Sequence, residues 1–123
     1  MEAKFDSLYK RAMHAYKSGS YEESERLFRT AVRVKQSYTA PDDPQIAVVY
    51  NNLAATLEKR GLPREAEALY QQAIAICEVR LKPDHPRIKH IRTKLQELRS
   101  SLFAFPGLPA SEPPASPFDE PAL

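Results

Sequence analysis

Apolar residues recur three and four positions apart along most of the first hundred residues, the spacing that gathers side chains on one face of an α-helix. The clearest case runs from Tyr50 to Ile76. Tyr50, Leu53, Ala54 and Leu57 share a face, and beyond Gly61-Leu62-Pro63 so do Ala66, Leu69, Ala73 and Ile76. Glycine readily takes the left-handed conformation that closes a helix, and proline suits the first turn of the next. The stretch therefore reads as helix, tight turn, helix. Small residues at Ala54, Ala66 and Ala73 let two backbones approach closely, with Leu69 and Tyr70 filling the space beside them. Further stripes are Leu8, Ala12 and Ala15, then Leu27, Phe28, Ala31 and Val34, and finally Ile88, Ile91, Leu95, Leu98 and Leu102. Together they predict helices over about 5–18, 21–37, 44–60, 63–81 and 86–102. Asp43 before Pro44 is the expected N-cap of the third, and His85 stands in the same place before Pro86.

The pattern repeats. Gly19 and Gly61 are 42 residues apart, and the same offset pairs Ala12 with Ala54, Lys17 with Lys59, Glu23 with Glu65 and Leu27 with Leu69. It also pairs Ala31 with Ala73, Pro41 with Pro83, Asp42 with Asp84 and Pro44 with Pro86. A fixed period of this size marks stacked structural units that bury their faces against neighbours. The last helix has one apolar stripe and a polar remainder (Arg87, Lys89, Arg92, Lys94, Gln96, Glu97, Arg99), as expected of a terminal cap.

These positions carry a family likeness. The small residue of the first helix (Ala12, Ala54), the turn glycine (Gly19, Gly61) and the aromatic–small pair of the second helix (Phe28 with Ala31, Tyr70 with Ala73) resemble the tetratricopeptide repeat. The long period, the run Asn51-Asn52-Leu53-Ala54 and the linker Pro83-Asp84-His85-Pro86 resemble its kinesin light chain subclass. Ser24 stands where the family usually has Ala, and Pro63 where an aromatic is common (Tyr21 in the first unit). The resemblance covers roughly residues 5–102. It implies an all-α fold, a short right-handed α-solenoid of two helix pairs (about 5–37 and 44–81) plus a capping helix (about 86–102). Residues 1–102 then form one repeat domain. Residues 103–123 hold six prolines and no basic residue, a composition expected to stay disordered.

In that architecture the first helix of each pair lines a concave groove for a protein or peptide partner. Carried onto this chain, the groove comprises Tyr9, Lys10, Met13, Tyr16 and Lys17, then Asn51, Asn52, Ala55 and Lys59, then Thr93 and Lys94. A side-chain amide can pair with the backbone of an extended peptide whatever its sequence, and Asn52 more than Asn51 is expected to do so. Members that clamp a C-terminal carboxylate use a basic–Asn–Asn–basic–basic set. Here Asn52 matches and Lys94 matches in charge, but Tyr9, Met13 and His90 depart from it, which disfavours that ligand.

Composition adds boundaries. A net charge of +2 over 123 residues gives no general drive toward nucleic acid or membrane, although residues 80–99 are locally basic. A solvated cap is the simplest account of that stretch, an acidic partner the next and specific nucleic-acid binding the last. Cys77 is the sole cysteine, so no internal disulfide forms, and a reducing compartment, the cytoplasm, is the expected setting. No apolar run is long enough to span a bilayer. His14, His85 and His90 have no cysteine or carboxylate at metal-ligand spacing, and no phosphate-binding glycine loop or nucleophile motif is present. The expectation is a non-catalytic adaptor or scaffold with no cofactor and no metal. Self-association is the alternative, since two units and a cap are near the lower limit of stable stacking.

Overall fold

The computed structural model describes residues 1–104 and contains five helices, α1 (Glu2–Lys17), α2 (Tyr21–Gln36), α3 (Pro44–Lys59), α4 (Pro63–Arg80) and α5 (Pro86–Ala104). No strand occurs among the described residues. Dense contact joins α1 to α2, α2 to α3, α3 to α4 and α4 to α5. The chain is an all-α solenoid of two hairpins closed by one helix.

Both hairpin turns are built alike. Gly19 N–H donates to the Tyr16 carbonyl (3.1 Å) and Ser20 N–H to that of Ala15 (2.8 Å). Gly61 N–H donates to Glu58 (3.0 Å) and Leu62 N–H to Leu57 (2.9 Å). This double closure requires a left-handed residue, and φ is 83° at Gly19 and 78° at Gly61. A Cβ at Gly61 would meet nothing within 4 Å. Gly61→Ala should therefore cost about 1–2 kcal/mol through backbone strain alone, seen as a lower urea midpoint with an unchanged slope.

One core runs through the stack. Ala12, Ala31, Ala54, Ala66 and Ala73 are wholly buried, with the larger Phe28, Leu53, Leu57, Leu69 and Tyr70 between them. Ser24 is also wholly buried. Its hydroxyl donates to the Ala12 carbonyl (2.9 Å) and lies 3.4 Å from Thr56 Oγ1, which donates to the Asn52 carbonyl (2.9 Å). A buried hydroxyl is costly only when unpaired, so serine is tolerated at a position where the repeat usually has alanine.

The first helix begins at Glu2, three residues earlier than its apolar stripe suggests, because Glu2 has partners across the hairpin. Its carboxylate accepts from Lys35 Nζ (3.0 and 3.1 Å) and Tyr38 OH (2.7 Å). Lys35 Nζ also sits 4.6 Å from the Phe5 ring centroid. Burial works against the Lys35 charge, but Glu2 and Tyr38 outweigh it and its pKa is raised. The bonds from Tyr38 and Lys35 hold Glu2 below the usual carboxylate range. A carboxyl depressed on folding stabilises fully above its unfolded pKa, and that contribution is lost as pH falls through the folded value. Acid titration of stability between about pH 5 and pH 3 should be shallower in Glu2→Gln than in the native chain.

The linkers start the following helices. Asp43 Oδ1 accepts from Gln45 N–H (2.8 Å), and His85 Nδ1 takes the equivalent bond from Arg87 N–H (3.0 Å). Arg80 grips Asp42 with two bonds (3.0 and 2.7 Å), fastening the end of α4 to the first linker. Ile88, Ile91, Leu95 and Leu98 of α5 are buried, while Arg92 pairs with Glu78 (2.5 Å) and Arg99 with Glu67 (2.8 Å) on α4. Three arginines of the basic stretch are thus engaged in holding the stack together.

The tail boundary also moves. Phe103 and Ala104 are helical, whereas the proline-rich composition placed the start of the tail at 103. Pro106 disfavours helix at the residue before it, not two residues earlier. The disorder expected over the rest of the tail falls on residues outside those described. No helix among the described residues is long and apolar enough to cross a membrane.

Candidate functional site

The three odd-numbered helices meet over a hollow of about 250 Å³ lined by Met13 and Tyr16 of α1, Asn51, Asn52 and Ala55 of α3, and His90 and Lys94 of α5. Phe28 of α2 and Tyr70 of α4 line it as well. Six of the residues proposed from sequence are therefore brought together. Tyr9 joins them through Asn52, whose Nδ2 donates to the Tyr9 hydroxyl (2.8 Å). Lys10 borders a different hollow, on the outer side of the first hairpin beside Arg11, His14 and Glu23. Lys17, Lys59 and Thr93 are exposed on their helices and are not part of the lining.

The two asparagines differ in how their side chains are bonded. Asn52 spends one donor on Tyr9, 43 positions away in the chain. The Asn51 side-chain oxygen is buried and accepts no hydrogen bond. An unpaired buried acceptor costs roughly 1–3 kcal/mol, so a ligand N–H delivered to Asn51 recovers that amount. Tyr9 is held by rings on both sides, stacked 6.1 Å from Phe5 and edge-on 5.9 Å from Phe28. Its hydroxyl accepts from Asn52, which leaves the phenolic proton free to donate to a ligand carbonyl.

Tyr70 lines the hollow with its buried ring. Its hydroxyl donates to Glu58 Oε2 (2.5 Å). Burial, that bond and the charges of Glu58 and Glu97 all push its pKa well up, keeping the phenol neutral. His90 and Lys94, one helical turn apart, place cationic and imidazole groups on the α5 wall. His90, Phe28 and Tyr70 were missed as lining residues. The i, i+4 spacing of His90 and Lys94 was a usable signal, whereas the periodicity assigned the two rings wholly to the core.

The lining of the hollow is made of amides, aromatic rings, an imidazole and one ammonium. Cys77 is wholly buried, and burial pushes its thiol up. Among the described residues no group of His, Cys, Asp or Glu is arranged to hold a metal ion.

A search of curated proteins finds no match to the chain. A family model described as tetratricopeptide repeat matches residues 5–78, a span that contains both glycine turns and the asparagine pair. Repeats of this kind mediate protein–protein interactions. With two glycine-closed hairpins, small residues at the helix contacts and a matching span over more than half its length, this chain belongs to the tetratricopeptide repeat family.

Proposed function

We infer that the chain is a non-catalytic adaptor or scaffold that holds an extended segment of a protein partner across α1, α3 and α5. The observation that carries this reading is the buried, unpartnered oxygen of Asn51 in the floor of a hollow rimmed by Tyr16, Asn52 and Lys94. An extended backbone supplies N–H donors at regular spacing, so it satisfies such an acceptor without demanding a particular side chain. The offset of 42 residues and the proline-flanked linkers support the kinesin light chain subclass. A free, buried cysteine supports a reducing compartment, the cytoplasm.

No specific observation favours self-association or nucleic acid. The large apolar side chains exposed among the described residues are Met1, Val79 and Phe103, and the outer hollow of the first hairpin is lined by charged residues. Arg80, Arg92 and Arg99 already hold carboxylates. Affinity capture with the native chain, repeated with Asn51→Ala and Tyr16→Ala, tests the reading. Each substitution should weaken capture of the same partner by roughly 5- to 150-fold, the equivalent of about 1–3 kcal/mol. Undiminished capture by both variants would remove the groove from consideration.

A further inference from the structure

We propose that the outer hollow of the first hairpin binds a phosphate monoester carried on a side chain of a protein partner, with Lys10 and Arg11 as its cationic wall. This site is separate from the hollow between α1, α3 and α5, and it stands whether or not that surface holds a partner segment.

The second unit shows what this face does when a neighbour covers it. At the offset of 42 residues, Arg11 and His14 of α1 correspond to Leu53 and Thr56 of α3, and Leu27 to Leu69. Leu53, Thr56 and Leu69 are wholly buried, and Thr56 meets Ser24 of α2 across the joint between the hairpins (3.4 Å). On the first hairpin the same face is an open hollow of about 480 Å³. Turning such a face to water calls only for polar groups, not for charges of one sign. At the other end of the stack, Arg92 and Arg99 are balanced by Glu78 and Glu67.

The outer hollow has no such balance. Lys10, Arg11 and His14 stand together on its α1 wall, and neither Lys10 nor Arg11 holds a carboxylate among the described residues. The lining has one carboxylate, Glu23, and it is bonded to Arg26 (2.7 Å). Arg11 acts on Glu23 only through its charge, as the smallest of the influences there. Across the hollow, Ser20 precedes α2 but its hydroxyl makes no capping bond, so it keeps a proton to donate. Ser18 does not, because its hydroxyl donates to the His14 carbonyl (2.8 Å).

A guanidinium, an ammonium, an imidazole and a hydroxyl call for an oxyanion with several oxygens. A phosphate monoester offers three and nearly two negative charges, so a guanidinium can take two oxygens while the ammonium and hydroxyl take the third. A carboxylate has one charge and two oxygens and leaves donors unused. The floor includes the apolar Ala15 and Leu27, and the hollow is larger than a lone phosphate fills, so the ligand brings an apolar stem. No Phe, Tyr or Trp lines it to stack a nucleobase. These features favour a phosphorylated side chain over a nucleotide or the free ion.

Amide shifts of the full chain, followed by NMR, provide the test. The probes are the capped tripeptide Leu-phosphothreonine-Leu, its unphosphorylated form, inorganic phosphate and a short DNA duplex. The phosphopeptide should move amides over residues 10–23 and the unphosphorylated form should not. Arg11→Gln should weaken phosphopeptide binding by about fivefold, whereas Glu23→Gln, which removes the one repelling carboxylate, should tighten it by about threefold. Both side chains are exposed, so the fold is kept, and a tightening is not something a damaged fold produces. Unchanged affinity in Arg11→Gln overturns the proposal. So does equal or tighter binding of inorganic phosphate or of the duplex, and so do shifts centred on Asn51 and Lys94, which would seat the phosphate in the other hollow.

Discussion

Tyr70→Ala is expected to lower the unfolding free energy by about 3–5 kcal/mol, whereas Tyr70→Phe should cost only about 0.5–1.5 kcal/mol. The ring is 1% exposed and stands where α4 meets the underside of α3, so its removal leaves a void that rigid helices on both sides cannot fill. The hydroxyl matters less. Its partner Glu58 is exposed and regains water when the bond is lost. A small domain has a total stability of about 5–15 kcal/mol, so the alanine variant should be partly unfolded near physiological temperature. Urea titration followed by helical circular dichroism measures both. An alanine variant within 1 kcal/mol of the native chain would mean that α4 closes over the gap and that the ring is not a keystone of the stack.

The second large effect concerns the cap. Ile91→Asp puts a carboxylate at a site 1% exposed, flanked by Ile88, Leu95 and the apolar face of α4. An unpaired buried charge is destabilising by roughly 3–5 kcal/mol, and α5 touches the rest densely only through α4. The expected result is selective undocking of α5 with the two hairpins intact. Cys77 reports it, because its thiol is wholly buried in the native chain and feels the Arg87 guanidinium of α5. Modification by a neutral thiol reagent should accelerate by about two to four orders of magnitude, at ~1.4 kcal/mol per tenfold. A rate equal to that of the native chain would show that α5 stays seated despite the charge.

Helices, turns and repeat register were legible because their causes are local. Gly19 and Gly61 announce left-handed turns, Pro44, Pro63 and Pro86 announce helix starts, and the stripes need no knowledge of distant residues. The site was legible only in part. That Asn52 spends a side-chain donor inside the fold depends on Tyr9 reaching it across the stack, a contact that no spacing within α3 can reveal. The same holds for Arg92 and Arg99. Read along the chain they are surplus positive charge, and only the packing of α5 on α4 shows that Glu78 and Glu67 consume it. Ser24 looked like a departure from the repeat until the Ala12 carbonyl came within reach of its hydroxyl.

Sequential contact has a mechanical consequence. Because dense packing links each helix chiefly to the next, the stack bends like a leaf spring, and small rotations at successive joints add up along its length. The aperture between Tyr16 and Lys94 is therefore the dimension most sensitive to such rotations, while Leu53, Leu69 and Tyr70 keep their neighbours. If the hollow holds a partner segment as proposed, one of slightly different girth would be met by flexure at these joints instead of by repacking of the core.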